Sequence, residues 1–280
     1  MIFEISKIGP PQLAAWSSFN SMQRNSIKNI LSFFIKAPTR IPVLIQKIFL
    51  RIAVFRHDST DFKWILENTN DFEDWATRTN IDLWLESVEF ADKFQLFATQ
   101  KLKVLPFKMG GGGIYPVLYF LTRLYRPEIV LETGVAAGYS SNAFLSALKR
   151  NEYGCLFSSD FPYFRINNPE SYIGILVDDK LKVGWNLLIE GDKINLPIIC
   201  NKIDKVDIFH YDSDKSYSGR DYAFNLIRSK IHKETTIIFD DIQDNNYFKD
   251  FVHKYQCEFK IFVYNGKYVG MVFGISEMKI

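Results

Sequence analysis

The run "VDIFHYDSDKSY" (206–217) ends an apolar segment in Asp212, Asp214 and Lys215, with His210 two places earlier, and "TTIIFDD" (235–241) ends another in Asp240 and Asp241. If these segments are neighbouring strands, their carboxyl ends gather Asp212, Asp240 and Asp241 in one cleft. Unpaired carboxylates so placed repel, and protons or a cation must stabilise them. A hard divalent ion such as Mg2+ accepts oxygen ligands, keeps positions open for a substrate hydroxyl and lowers the pKa of that hydroxyl. His210 lies on the same side of a strand as Asp212 and is a candidate base. The competing structural reading is that acids after a strand cap the next helix, which suits Asp214 and Ser216 ahead of "YSGRDYAFNLIRSKI".

A second constellation is "LETGVAAGYSS" (131–141), where Glu132 is followed by Gly134 and Gly138. The glycines permit a sharp turn that brings backbone N–H groups and a helix start close to a ligand. A phosphate-binding loop requires Lys after its second glycine, and a dinucleotide loop requires a middle glycine; both are missing. The remaining ExGxxxG pattern, with a carboxylate facing the ligand, suits a cationic, phosphate-free molecule. Asp160 ends "CLFSSD" where a ribose diol would be gripped, and Asp192 in "EGDK" is available to an adenine amino group.

The elements that must position these residues alternate between apolar runs and helical patterns. Strands are predicted at 128–133, 155–160, 185–190, 206–212 and 235–241, with helices such as "SSNAFLSALKR" between them. "FKIFVY" and "KYVGMVF" flank Asn265-Gly266, the dipeptide of a two-residue type I′ hairpin. The predicted fold is α/β: a Rossmann-like, doubly wound, mostly parallel seven-stranded sheet with an antiparallel C-terminal hairpin. Ligands of such sheets bind at the carboxyl ends of the strands.

Residues 1–105 read as a helical N-terminal extension acting as a lid, a dimerisation element or a surface anchor, and 106–280 as the catalytic domain. Residues 5–57 hold eight Lys or Arg and no acid, whereas 58–92 hold ten Asp or Glu. A basic amphipathic helix at 43–56 would allow peripheral membrane contact through residues 20–56; the alternative is packing of the basic run on the acidic one, within a subunit or across a homodimer. Trp64, Trp75 and Trp84 have the spacing of core residues. "GGGG" (110–113) is either a flexible linker or a loop beside a ligand. A net charge of +2 gives no polyanion signal, so nucleic acid is not an expected partner. Three widely spaced cysteines and no spanning apolar run point to a cytoplasmic protein with ordinary thiols.

On "VLETGVAAGYSS" and the closing hairpin, residues 106–280 resemble a class I S-adenosylmethionine-dependent methyltransferase. The resemblance implies that Glu132, Gly134 and Gly138 line the methionine part of the cofactor, Asp160 the ribose and Asp192 the adenine. "DSDKSY" and "IIFDDI" are similar to the metal segments of cation-dependent O-methyltransferases of the catechol and caffeoyl-CoA kind, which implies Mg2+ on Asp212, Asp240 and Asp241 and Lys215 as base. The longer run "FHYDSDKSYSGRD" is closer to relatives of the macrocin enzyme, which commonly carry His where this chain has Lys215, so His210 stays a second candidate. The implied reaction is methylation of a small-molecule or sugar hydroxyl. A nicotinamide-dependent oxidoreductase and a non-catalytic membrane-associated binding protein are the alternatives.

Overall fold

The computed structural model describes residues 29–45, apart from 31, 33 and 34, and residues 60–275, apart from 108 and 110. Beyond residue 45, the amphipathic segment expected at 43–56 lies outside the described residues, as do residues 20–28 of the proposed membrane contact.

The strands are β1 (Thr69–Asn70), β2 (Ile129–Thr133), β3 (Cys155–Ser159), β4 (Trp185–Leu188), β5 (Val206–Tyr211), β6 (Ile231–Phe239), β7 (Glu258–Tyr264) and β8 (Lys267–Phe273). They form one sheet in the order β1-β7-β8-β6-β5-β2-β3-β4. Its centre pairs in parallel, with Glu132 opposite His210 and His210 opposite Ile238. The reversed strand β8 inserts between β6 and β7 and pairs antiparallel with both. A dinucleotide-binding sheet continues in parallel at this edge, so the reversed strand separates this fold from that one.

The sheet has eight strands where seven were expected. The additional one, β1, has two residues and comes from the N-terminal region, pairing in parallel with Ile261 and Phe262. So short a strand carries no alternation to read; the unpaired backbone groups of the β7 edge recruit it.

Helices cover both faces: α1 (Phe62–Glu67), α2 (Phe72–Lys103), α3 (Tyr115–Tyr125), α4 (Tyr139–Asn151), α5 (Asp192–Cys200), α6 (Tyr217–Ile227) and α7 (Tyr247–Tyr255). Because side chains alternate along a strand, Val130, Ile208 and Ile238 pack with Phe120, Phe144 and Trp84 of the α2–α4 layer. Leu131, Phe209 and Phe239 face the other way, onto Leu196, Phe224 and Phe251 of α5–α7. Each such fully buried large side chain contributes about 1.5–3 kcal/mol. The N-terminal helices share both cores: Trp75 packs on Phe120, Phe262 and Phe273, and Trp64 stacks on Phe259. Helix α2 kinks at Asn80, whose side chain accepts the Leu83 N–H at 3.1 Å and caps the second half. The hairpin turn has positive φ at Asn265 (51°) and Gly266 (76°), as a type I′ turn requires.

Candidate active site

The turn after β2 is held against the end of β5. Gly134 has φ 84°, and a Cβ there would overlap the main-chain carbonyl of Asp212; the Asp212 N–H donates to the Thr133 carbonyl at 3.0 Å. Gly138 has φ 95° and starts α4 with no side-chain cap, leaving a helix N-terminus that favours an anionic group. Residues 174–176 brace this turn: the N–H groups of Gly174 and Leu176 donate to the carbonyls of Ala136 and Ala137, each at 2.9 Å.

The acids expected around the cofactor sit at three adjacent strand ends. Glu132 is fully buried, and one of its oxygens accepts from Ser141 (2.6 Å) and Ser158 (2.8 Å). These bonds tie the end of β2 to α4 and β3. Asp160 accepts the N–H groups of Ala136 (2.9 Å) and Phe161 (2.7 Å), which ties the end of β3 to the glycine turn. Asp192 opens α5 and accepts from the hydroxyls of Ser159, at 2.6 Å, and Ser213. Ser213 is thereby linked to both constellations, a role that no pattern in the sequence announces.

At the ends of β5 and β6, Asp212, Asp240 and Asp241 meet Lys215. The lysine Nζ bonds to Asp212 and lies 3.0 Å from Asp241, and Lys267 lies 3.0 Å from Asp241 on its outer side. Burial opposes the charge on Lys215, but Asp212, Asp240 and Asp241 outweigh it and hold the pKa well above the usual lysine range. Asp212 is pushed up to about 7, chiefly by burial and then by Asp240, against the pull of Lys215 and His210. Asp241 is also opposed by burial, but Lys215 and Lys267 prevail and lower it to about 2.

His210 is fully buried beneath the cluster, in contact with the Phe144 ring. Its Nδ1 is 3.9 Å from Glu132 and its Nε2 3.7 Å from Asp240. At these separations neither nitrogen is hydrogen-bonded within the described residues, and the facing oxygens of Glu132 and Asp240 are unbonded too. The imidazole thus joins the glycine turn to the acid cluster by charge and does not open on solvent. Burial disfavours its charged form, but the two carboxylates overcome this and raise the pKa to about 10.

Two framing residues escaped the sequence reading. Arg220, fully buried, donates to the carbonyls of Asp240 (2.9 Å) and Asp241 (2.8 Å) and to the side chain of Asn245 (3.1 Å). Asn245 in turn donates to the Lys215 carbonyl at 2.7 Å, so one network fixes both sides of the cluster. Asp241 is held at φ 53° within it. Gly113 approaches Asp240 so closely that a Cβ would overlap the carboxylate, and Gly112 likewise meets Tyr139; the end of the glycine run therefore lies over the strand ends. Asp214 and Ser216 do start a helix: Ser216 accepts the Gly219 N–H at 3.0 Å, and Asp214 accepts the Ser216 N–H at 3.0 Å.

In the described part of the basic segment, the acids that pair with Arg40 come from the sheet region. Arg40 donates to Glu190 at 2.7 Å and also pairs with Glu170, acids outside the run 58–92. Leu44 packs on Phe161 and Phe164, and Val43 lies over Gly191. Residues 40–44 thus cover the ends of β3 and β4. A cavity of about 440 Å³ between Asn29, Lys36 and residues 166–171 borders this cover and includes none of the strand-end acids.

The expected Mg2+ does not fit this arrangement. Asp212 and Asp241 are turned onto Lys215, while Asp240 points to His210 and is closed off by Gly113. Among the described residues no three His, Cys, Asp or Glu side chains converge to hold a metal ion.

The single reversed strand, the glycine turn after the first central strand and the acids on the flanking strand ends are the features that distinguish this α/β sheet. Residues 131–242 match a family model described as a methyltransferase domain. Solved structures similar to the chain include an O-methyltransferase from Bacillus cereus in complex with SAH, 15% identical, covering 75% of this chain and 99% of that one with a TM-score of 0.48. Others are a methyltransferase from Geobacter sulfurreducens (18% identical, 66% and 89% covered, TM-score 0.47) and an SAH-bound methyltransferase from Podospora anserina (10%, 76% and 92%, TM-score 0.47). The fold is defined by the strand order. No curated protein matches the chain.

Proposed function

We propose that this protein transfers the methyl group of S-adenosylmethionine to a hydroxyl of a small-molecule or sugar acceptor. The observation that carries the reading is the contact between Gly134 and the main chain of Asp212. It sets the glycine turn, on the donor side, directly against an acid and ammonium cluster able to handle a hydroxyl proton. In this reading the uncapped start of α4 receives the cofactor's carboxylate, Asp160 the ribose and Asp192 the adenine end. Residues 40–44 roof the nucleotide side.

The acceptor oxygen needs to lose a proton as it attacks the sulfonium methyl. Neighbouring groups whose pKa values are driven apart divide acid and base roles. Asp212, raised to about 7 and partly open to solvent, is better matched to a base at neutral pH than Lys215, whose pKa is raised. Lys215 then supplies a positive charge beside the developing alkoxide, and His210 supports the cluster from below. This reassigns the base expected at Lys215 and His210. Correct alignment of oxygen and methyl supplies much of the remaining acceleration.

Calorimetry with S-adenosylhomocysteine tests the cofactor half. Wild type should bind with 1:1 stoichiometry and Asp160→Ala at least tenfold more weakly; absence of binding to wild type would overturn the reading.

A further inference from the structure

Carboxylates gathered in one buried cluster need a balancing positive charge. Here the candidate balancing charge is covalently attached. The Lys215 Nζ bridges Asp212 and Asp241, joined to the first and 3.0 Å from the second. A divalent ion ligated by those two carboxylates would compete for the same oxygens and stand beside a like charge.

The lysine is not a surface side chain that happens to reach inward. Its side chain is about three-quarters covered. Its carbonyl accepts from Asn245, which accepts from Arg220, and Arg220 holds the carbonyls of Asp240 and Asp241. Through this frame the ammonium and Asp241, one of the two acids that it bridges, are positioned by the same buried guanidinium. Ser216 caps α6 immediately afterwards and fixes the far side of the loop. The remaining carboxylate, Asp240, faces His210 and has no room toward Gly113.

We propose that the Lys215 ammonium replaces a divalent cation in this acid cluster, so that the site binds no Mg2+ or Mn2+ and presents an ammonium to the acceptor oxygen. The inference rests on the methyltransferase reading for the identity of the acceptor, but its test does not, because metal binding is read without cofactor or turnover.

The full chain, stripped with chelator, is titrated with Mn2+, free ion being followed by electron paramagnetic resonance. Wild type should show no saturable site below about 1 mM, and its thermal unfolding should be the same in Mg2+ and in chelator. Lys215→Met should gain a Mn2+ site at least tenfold tighter than any in wild type, and adding Asp241→Asn should remove it. Lys215→Arg, which keeps the charge, should gain none. Saturable Mn2+ binding by wild type that Asp212→Asn abolishes would overturn the proposal, since the lysine would then coexist with the metal. Absence of any gain in folded Lys215→Met would overturn it equally, because the acids would not form a cation site that a lysine could replace. Should Lys215→Met fail to fold, Lys215→Gln provides the same comparison, and the wild-type titration stands by itself.

Discussion

Gly113 lies against the Asp240 carboxylate with no space for a side chain between them. The glycine run is thus required at its end, while Gly111 has no atom within 4 Å of where a Cβ would stand. Gly113→Ala should push the loop or the carboxylate aside and cost about 1–3 kcal/mol by overpacking, with Gly111→Ala near neutral. Thermal unfolding of the two variants measures the contrast; equal midpoints would place the run away from the strand ends.

The pH dependence of stability has two windows. His210 has its folded pKa raised to about 10, so its contribution is complete below its ordinary value near 6.5 and is lost as pH rises through 10. Asp212, raised to about 7, keeps its proton in the folded chain after the unfolded chain has lost it, so stability falls from the ordinary carboxylate value near 4 up to 7. Urea unfolding across pH 4–10 should show His210→Asn flattening the upper decline and Asp212→Asn the lower. Slopes unchanged by either variant would mean that other groups govern them.

Arg220 supplies three of the hydrogen bonds around the acid pair. Its replacement by Met takes the side-chain donor from the Asp240 carbonyl and leaves the Asp241 carbonyl and the Asn245 amide oxygen with only the N–H groups of Asp244 and Tyr247, and should destabilise the chain by about 1–3 kcal/mol. Lys at 220 cannot span both carbonyls and should recover only part of that. The urea midpoint is the measurement, and a loss under about 1 kcal/mol would show that the frame is redundant.

Arg40 is the polar anchor of the segment over the ends of β3 and β4. Because Glu170 and Glu190 are partly exposed, these pairs are worth about 1 kcal/mol together. Arg40→Ala should accordingly shift the opening of residues 29–45 by about fivefold. Limited proteolysis with a protease that cuts after apolar residues would register it as faster cleavage there, and unchanged cleavage would mean that Leu44 and Phe161 suffice.

The order of strands and helices was legible because the central strands begin as short apolar runs and helical spacing lies between them. The hairpin was legible through Asn265-Gly266. Two-residue β1 was not, since its pairing depends on an edge supplied some 190 positions later. Asp212, Asp240 and Asp241 could be brought together from strand ends alone. What their charges meet could not, because the reach of Lys215 is set by Asn245 and Arg220, and a buried arginine reads in sequence like an exposed one. Glu132 was likewise visible as a strand-end acid, but its burial under Ser141 and Ser158 depends on three separate elements.

The small strand at Thr69–Asn70 has a further consequence. It occupies one rim of the sheet, and the tryptophans around it cover the hairpin beyond. A shortened version beginning at residue 106 would leave the backbone of Glu258–Tyr264 without that partner, beside bared Phe259, Phe262 and Phe273. An open rim of this kind is a template for another chain's strand, so such a fragment would self-associate through its rim, and its behaviour in solution would say nothing about how the whole protein assembles.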